Sequence, residues 1–217
     1  MYVETDVHVS ADGVAIVSHD ADLKRLTGRE ARIAQLTGAE LAKVDLGHGQ
    51  SYPTLAEALE AFPDARFNID VKARAAADAV ARAVLGAGAT HRVLITSFDD
   101  ATRRATLAAL GGSHAAATSA SQRGVIWALL GARLGLDFLV RAALAGIDAV
   151  QVPERQDPLS IVTPRFIAAV HRAGVEVHVW VVNDEEAMRR LIALGVDGIV
   201  TDRADLAVSV VKDLANP

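Results

Sequence analysis

The chain has 217 residues, 51% of them hydrophobic, which is enough apolar material for one sizeable core and predicts a single domain over residues 1–217. Its net charge of −5, without basic residues clustered among aromatic ones, argues against nucleic acid as a partner. It contains no cysteine, which excludes disulfide bonds, thiolate metal sites and cysteine nucleophiles.

Short β-branched runs alternate with helical segments along the chain, which is the pattern of βα units around a parallel sheet. Seven runs are predicted as strands: 2–7, 66–72, 92–98, 114–120, 148–153, 175–182 and 197–202. The helical segments between them begin with acids or proline and end with glycine, as capped helices do. The last strand follows a capped helix in the way that is typical of the final unit of a barrel, so we predict an α/β barrel.

The segment 14–20 does not fit this parallel count, because only three residues separate it from the first strand. Asp12-Gly13 between alternating apolar residues is a strong hairpin signal. With a two-residue loop Asp6 would face His19, whereas a one-residue bulge would shift the pairing by one. The two-residue loop predicts that Glu4, Asp6 and His19 meet at one site.

Acidic residues on two neighbouring strands predict a cation site. Glu4 and Asp6 alternate along the first strand and so face the same side, and Asp70 lies on the next parallel strand. Three carboxylates from adjacent strands suit a hard cation such as Mg²⁺ or Ca²⁺. Two acids alone on a strand more often lie on a solvated face or in a surface ion pair. The joint occurrence of ETD, SHD and IDVK in this order favours the cation site instead.

Two further side chains add chemistry to this cation site. Lys72 points the same way as Asp70 and can contact a phosphate oxygen, and His19 can act as an acid or a base near neutral pH. Together with the three acids, they predict a metal-assisted phosphodiesterase site at the carboxyl ends of barrel strands. His8 continues the alternation of the acids but lies further out along the hairpin, so we expect it at the rim.

The same segments make the chain resemble the glycerophosphodiester phosphodiesterases, relatives of the phosphatidylinositol-specific phospholipase C barrels. The similar stretches, in chain order, are VETDVHVSADGVAIVSHDADLKRLTG, YPTLAEALEAF, FNIDVK, ITSF, AVQVP and VHVWVVNDEEAMRRLIALGVDGIVTDRADL. The resemblance implies a TIM (β/α)8-type barrel. It also implies metal-dependent hydrolysis of a small glycerophosphodiester to glycerol 3-phosphate and an alcohol, by acid–base catalysis.

The resemblance assigns roles by position. It implies that a divalent cation is bound by three acids, Glu4, Asp6 and Asp70. His19 would be one of two catalytic histidines, and Lys72 would help to bind the phosphate. Trp180 would line the substrate pocket, and its alternative is an aromatic residue of the barrel core. The third acid is commonly Glu in the family, so Asp70 is a departure that reaches one methylene less.

The family opens with a His-Arg-Gly strand end and a Glu-Asn-Thr helix start, and residues 1–217 contain neither motif. That segment carries the other catalytic histidine and a phosphate-binding arginine. We therefore expect the chain to lack the first βα unit of the barrel and to be impaired as an enzyme. The alternative is a non-catalytic barrel that binds a metal or a phosphorylated ligand. A barrel edge left open in this way would favour self-association.

The most apolar segment is 124–146, which is about long enough to cross a bilayer but carries Arg133, Asp137 and Arg141 near its middle. We interpret it as a loop and a buried helix, and not as a transmembrane segment; its alternative is a lip that accepts a lipid-like group. The cysteine-free composition favours the cytoplasm. Secretion stays open, because a signal peptide would precede Met1.

Overall fold

A computed structural model describes residues 2–112 and 115–215 of the chain. The chain divides into two compact units, Met1–Ser121 and Gln122–Pro217. The first unit holds the acidic residues that the sequence points to, and the second holds Trp180. The single domain expected from composition stays a prediction.

The first unit is an α/β unit. Its strands are β1 (Tyr2–Val9), β2 (Ala15–Val17), β3 (Arg66–Val71), β4 (Val93–Thr96) and β5 (Ala117–Thr118). Its α-helices are α1 (Lys24–Thr27), α2 (Gly38–Leu41), α3 (Leu55–Ala61), α4 (Ala77–Gly86) and α5 (Asp100–Ala109). Short 3₁₀ helices are formed by Ile33–Gln35, Arg74–Ala76 and Thr90–Arg92.

The five strands form one sheet in the order β2-β1-β3-β4-β5, parallel except for the β1–β2 hairpin. This confirms the predicted parallel pattern in this unit. Strands β3 and β4 are almost wholly buried, which is typical of parallel strands covered on both faces. The predicted run 114–120 shortens to β5, and its first residue, His114, lies outside the described residues.

Helix ends in this unit are fixed by side chains. Thr54 caps α3 and exchanges hydrogen bonds with Glu57, and Asp99 caps α5 by accepting from the Thr102 amide at 2.8 Å. The buried guanidinium of Arg92 donates to backbone carbonyls of Leu59, Phe62 and Ala65, at and just after the end of α3. These bonds hold α3 against the start of β4.

The hairpin after β1 pairs one residue out of the predicted register. The Ser18 amide donates to the Asp6 carbonyl at 3.0 Å, so Ser18 rather than His19 lies opposite Asp6. The reason is a turn of three residues instead of two, whose last residue, Gly13, takes a left-handed φ of 79°. The prediction that Asp6 faces His19 is therefore wrong, and the one-residue shift is what forms.

The second unit has a parallel sheet of its own. Its strands are β6 (Ala149–Pro153), β7 (Arg155–Gln156), β8 (Leu159–Ser160), β9 (Glu176–Trp180) and β10 (Gly198–Ile199), and β10-β9-β6 form the sheet. Its helices are α6 (Gln122–Leu134), α7 (Asp137–Ala143), α8 (Pro164–Arg172), α9 (Glu185–Leu194) and α10 (Ala204–Ala215). The three predicted strands of this part are confirmed, and the small β7–β8 hairpin was not predicted.

The apolar segment 124–146 contains most of α6 and all of α7, which form a helical hairpin. The predicted loop followed by one buried helix is therefore wrong. Within the part of the chain that the structure describes, no helix has the length and apolar character needed to cross a membrane. The cytoplasmic location stays a prediction.

Candidate functional site

Two aspartates and a lysine form a compact cluster on β1 and β3. The two strands are parallel, and their register places Asp6 directly beside Asp70. The Lys72 ammonium lies 2.5 Å from Asp6 Oδ1 and 2.5 Å from Asp70 Oδ2. Both carboxylates are largely shielded from water, with 11% and 9% of their side chains exposed. The structure thus joins two predicted metal ligands and a predicted phosphate-binding lysine in one ion triad.

Burial and pairing shift the pKa values of this cluster in a consistent way. Desolvation, together with the negative charge of Asp6, raises the pKa of Asp70 by more than the hydrogen bond and charge of Lys72 lower it. Burial acts to lower the pKa of Lys72, but the hydrogen bonds to Asp6 and Asp70 outweigh it, and the net effect is a raised pKa. Lys72 is thus held as a cation between two carboxylates.

Glu4 adds a third carboxyl group to the cluster from the same face of β1. Desolvation, followed by the negative charges of Asp6 and Asp70, raises the pKa of Glu4 to about 7, while Lys72 and His19 act in the opposite direction. Glu4 is an exposed residue, so water weakens both of these effects. The strand register puts Glu4 on the face of β1 that carries Asp6.

The cluster has the chemistry of a divalent cation site. Its donors are all carboxylate oxygens, which Mg²⁺ and Ca²⁺ prefer, and Asp70 Oδ1 is buried without a hydrogen-bond partner. Among residues 2–112 and 115–215, however, no three acidic or histidine side chains converge closely enough to hold a metal ion. The position between Asp6 and Asp70 is taken by the Lys72 ammonium. The oxygen donors suit a divalent cation, which would have to displace this ammonium, and the ligand set Glu4, Asp6 and Asp70 stays a prediction.

His19 lies in an open pocket of about 610 Å³ and is held there by a neighbouring acid. Its Nδ1 atom is 2.9 Å from Asp20 Oδ1, and Asp20 Oδ2 accepts from Arg25 Nε at 2.5 Å. The hydrogen bond with His19, followed by that with Arg25, lowers the pKa of Asp20. With Nδ1 donating to Asp20, the Nε2 atom of the 75%-exposed ring is free to accept or donate a proton.

Three residues that sequence reasoning passed over belong to this neighbourhood. Asp20 and Arg25 orient His19, and their signal was the acid that directly follows the histidine in SHD. Phe98, exposed after β4, lies with its ring centre 5.8 Å from the Lys72 ammonium, as in a cation–π contact. His8, expected at the rim, lines the same pocket as His19, and its Nε2 atom is 3.4 Å from the His19 carbonyl oxygen.

Trp180 ends β9 in the second unit, where it is half-buried and pairs with Pro153 of β6. A half-buried aromatic residue at a strand end agrees equally with a pocket wall and with a core residue. The role of Trp180 in substrate binding stays a prediction.

Comparison with known families gives one match over nearly the whole chain. Residues 1–206 match the model of the glycerophosphoryl diester phosphodiesterase family. A protein of Mycobacterium tuberculosis named probable glycerophosphodiester phosphodiesterase 2 is 39% identical over 206 residues, which is 94% of this chain and 77% of that protein.

Solved structures of similar proteins have the same fold. The glycerophosphodiester phosphodiesterase of Thermotoga maritima is 27% identical and superposes with a TM-score of 0.70, covering 97% of this chain and 84% of that one. A phosphodiesterase of Oleispira antarctica, solved with its product sn-glycerol-3-phosphate, is 23% identical with a TM-score of 0.74, covering 97% and 85%. The chain thus has the mixed α/β, TIM-barrel-type fold of these proteins.

Proposed function

The chain belongs to the glycerophosphoryl diester phosphodiesterase family and is by family a phosphoric diester hydrolase, and on this premise we propose that it cleaves glycerophosphodiesters to glycerol 3-phosphate and an alcohol with the help of a divalent cation. The Oleispira protein, which holds sn-glycerol-3-phosphate as product, supports this class of substrate. The observation that carries the proposal is the joint presence of the Asp6–Asp70–Lys72 cluster and the His19–Asp20 pair in one unit.

In this proposal the acids hold the cation and Lys72 holds the substrate. Glu4, Asp6 and Asp70 are the carboxylates that would bind Mg²⁺ or Ca²⁺, which when bound supplies positive charge to the phosphodiester oxygens. A cation held by these carboxylates would replace the Lys72 ammonium as their counter-charge, and Lys72 could then bind a phosphate oxygen. Trp180 would line the pocket for the alcohol group.

His19 is the proton-transfer group of the proposal. Its Nε2 atom takes a proton from the nucleophile, which is either water or the glycerol hydroxyl beside the phosphate, or gives one to the leaving alcohol. Asp20 keeps the ring in the tautomer that this requires, and Arg25 keeps Asp20 in place. Since the family motif with a second histidine does not occur in residues 1–217, we propose that this chain alone turns over slowly.

Replacement of His19 tests this assignment. His19→Gln should reduce the rate of glycerol 3-phosphate release by about 10²- to 10⁴-fold, the usual contribution of a positioned acid or base. His91→Gln is the matched control, because His91 is exposed on a short helix just before β4, at the opposite strand ends from Asp6 and Asp70. Equal rates for His19→Gln and the unchanged protein would remove His19 from the mechanism.

A non-catalytic role is the second candidate, and one observation favours it. The Lys72 ammonium already neutralises Asp6 and Asp70, so the cluster is a complete ion triad without a metal. For a barrel that only binds a phosphorylated ligand, calorimetry would detect binding of glycerol 3-phosphate. The same protein would release no glycerol 3-phosphate from glycerophosphocholine. Metal-dependent turnover by residues 1–217 would rule this candidate out.

A further inference from the structure

The outer face of the α6–α7 hairpin is apolar and exposed. Five large side chains on it are between 40% and 70% exposed. Three of them lie at i, i+4 and i+8 along α6, and so follow one stripe of the helix. We refer to the five as the hairpin face: Ile126, Trp127, Leu130, Leu134 and Phe138.

These side chains are not needed to hold the two helices together. The opposite side of α6 is buried through Ala128, Gly131 and Ala132, against Val140 of α7. A methyl group added at Gly131 would lie 2.9 Å from Val140 Cγ2, which shows how closely the inner sides meet. An apolar stripe left outside a completed helix contact marks a surface that binds something else.

The charges of the segment that carries the hairpin face are mainly positive. Residues 122–146 carry three arginines, Arg123, Arg133 and Arg141, all of them exposed, in a chain whose net charge is −5. The one acid in this segment, Asp137, forms a two-pronged ion pair with Arg172 of α8, with Arg172 Nη2 at 2.7 Å and Nε at 3.0 Å. The apolar stripe is therefore flanked by cations with no free carboxylate among them.

We propose that the hairpin face docks the protein on the surface of a bilayer that contains anionic lipids. Trp127 and Phe138 are aromatic residues of the type that enters the interfacial region, and arginines beside them attract lipid phosphates. With 13 residues, α6 is too short to span a bilayer and lies flat on its surface.

Charge also distinguishes this occupant from a second copy of the chain. A two-fold contact places the same face of both copies together, so the arginines of one copy would meet those of the other. An anionic lipid surface complements the same charges. This inference does not rest on the proposed catalysis, because it concerns a different unit of the chain and needs no turnover.

Vesicle flotation of the full chain tests the proposal. We expect binding to vesicles of phosphatidylcholine with phosphatidylglycerol, weaker binding to phosphatidylcholine alone, and release by salt. Arg123→Gln with Arg141→Gln should weaken binding by roughly fivefold for each arginine removed. The matched control is Arg29→Gln with Lys43→Gln, which changes the net charge equally in the first unit and should leave binding unchanged.

The pair Trp127→Ser with Phe138→Ser tests the apolar part. Both residues are exposed, so the denaturation midpoint should not fall, and binding to the anionic vesicles should be lost. Undiminished vesicle binding by this pair, or no binding by the unchanged chain, overturns the proposal. A concentration-dependent dimer that the double substitution abolishes would also overturn it, because the hairpin face would then bind a second copy of the chain.

Discussion

Lys72 is the residue on which the cluster depends. Without a bound cation, its ammonium is the counter-charge for two carboxylates that have little access to water. Lys72→Met should therefore lower the free energy of unfolding of the cation-free protein by up to about 3 kcal/mol, because it leaves buried charges unpaired. Urea denaturation measures this loss. Added Mg²⁺ or Ca²⁺ should restore much of it.

The matched control for that substitution is Lys43→Met, which removes an exposed lysine outside the cluster. It should leave the midpoint nearly unchanged. If the two variants unfold at the same urea concentration, the Asp6–Asp70–Lys72 triad contributes nothing to stability. Lys72 would then not be the counter-charge of the two aspartates.

Residue identities in the site could be predicted from sequence better than their geometry. The alternation of Glu4 and Asp6, and the parallel neighbour that carries Asp70, follow from strand periodicity. The position of His19 did not follow, because Asp-Gly signals a turn without fixing its length, and one extra turn residue shifts the pairing. The ammonium between the aspartates was also missed, because periodicity says which side Lys72 faces and not what it contacts.

Among the elements, α5 has an N-cap that makes its stability fall in acid. Hydrogen bonds from the side chain and then the amide of Thr102 lower the pKa of Asp99 below its ordinary 3.8. The stabilisation is thus present above pH 3.8 and is lost as the pH falls through the lower, folded-state pKa. Asp99→Asn keeps a capping oxygen without this titration, so its urea midpoint should fall less between pH 6 and pH 3.

Asp64→Asn is the control, because Asp64 is an exposed acid outside the helices. The same fall in midpoint for Asp99→Asn and the unchanged chain would contradict the assigned role of this cap. Several other carboxylates accept hydrogen bonds, so the chain as a whole should still lose stability in acid.

The α6–α7 contact predicts an exception to helix propensity. Alanine normally stabilises a helix by about 1 kcal/mol over glycine. At Gly131 its methyl group would meet Val140 and the Leu136 carbonyl, so Gly131→Ala should destabilise the second unit by about 1–3 kcal/mol. Gly86→Ala in α4 meets nothing within 4 Å and should be neutral or stabilising. A higher denaturation midpoint for Gly131→Ala would contradict this packing.

Elements were predictable where both faces of a strand are buried, as in β3 and β4, since such strands read as continuous apolar runs. The β7–β8 hairpin was missed because its strands have two exposed residues each. The 124–146 segment was misread because apolar content predicts burial, and here part of it faces outward.

At the scale of the whole molecule, the order of the segments along the chain carried the family assignment, and no single element did. Parallel βα units occur in many folds, whereas the resemblance rested on ETD, SHD, IDVK and the final strand-helix segment in this order, and residues 1–206 match the family model. Strand β1 pairs with β3 over Tyr2–Val7, whereas β2 pairs with the other edge of β1 only over Val7–Val9. Self-association through that edge stays a prediction, which size in solution tests.

One assay decides whether the acid cluster and His19 form a cation-dependent phosphodiesterase site. Release of glycerol 3-phosphate from glycerophosphocholine is measured for residues 1–217 with Mg²⁺ or Ca²⁺, with EDTA, and for Asp70→Asn beside the exposed-acid control Glu60→Gln. We predict slow release that EDTA and Asp70→Asn abolish and that Glu60→Gln retains. A rate of release that neither EDTA nor Asp70→Asn lowers, or no release by any of these proteins, would contradict this assignment.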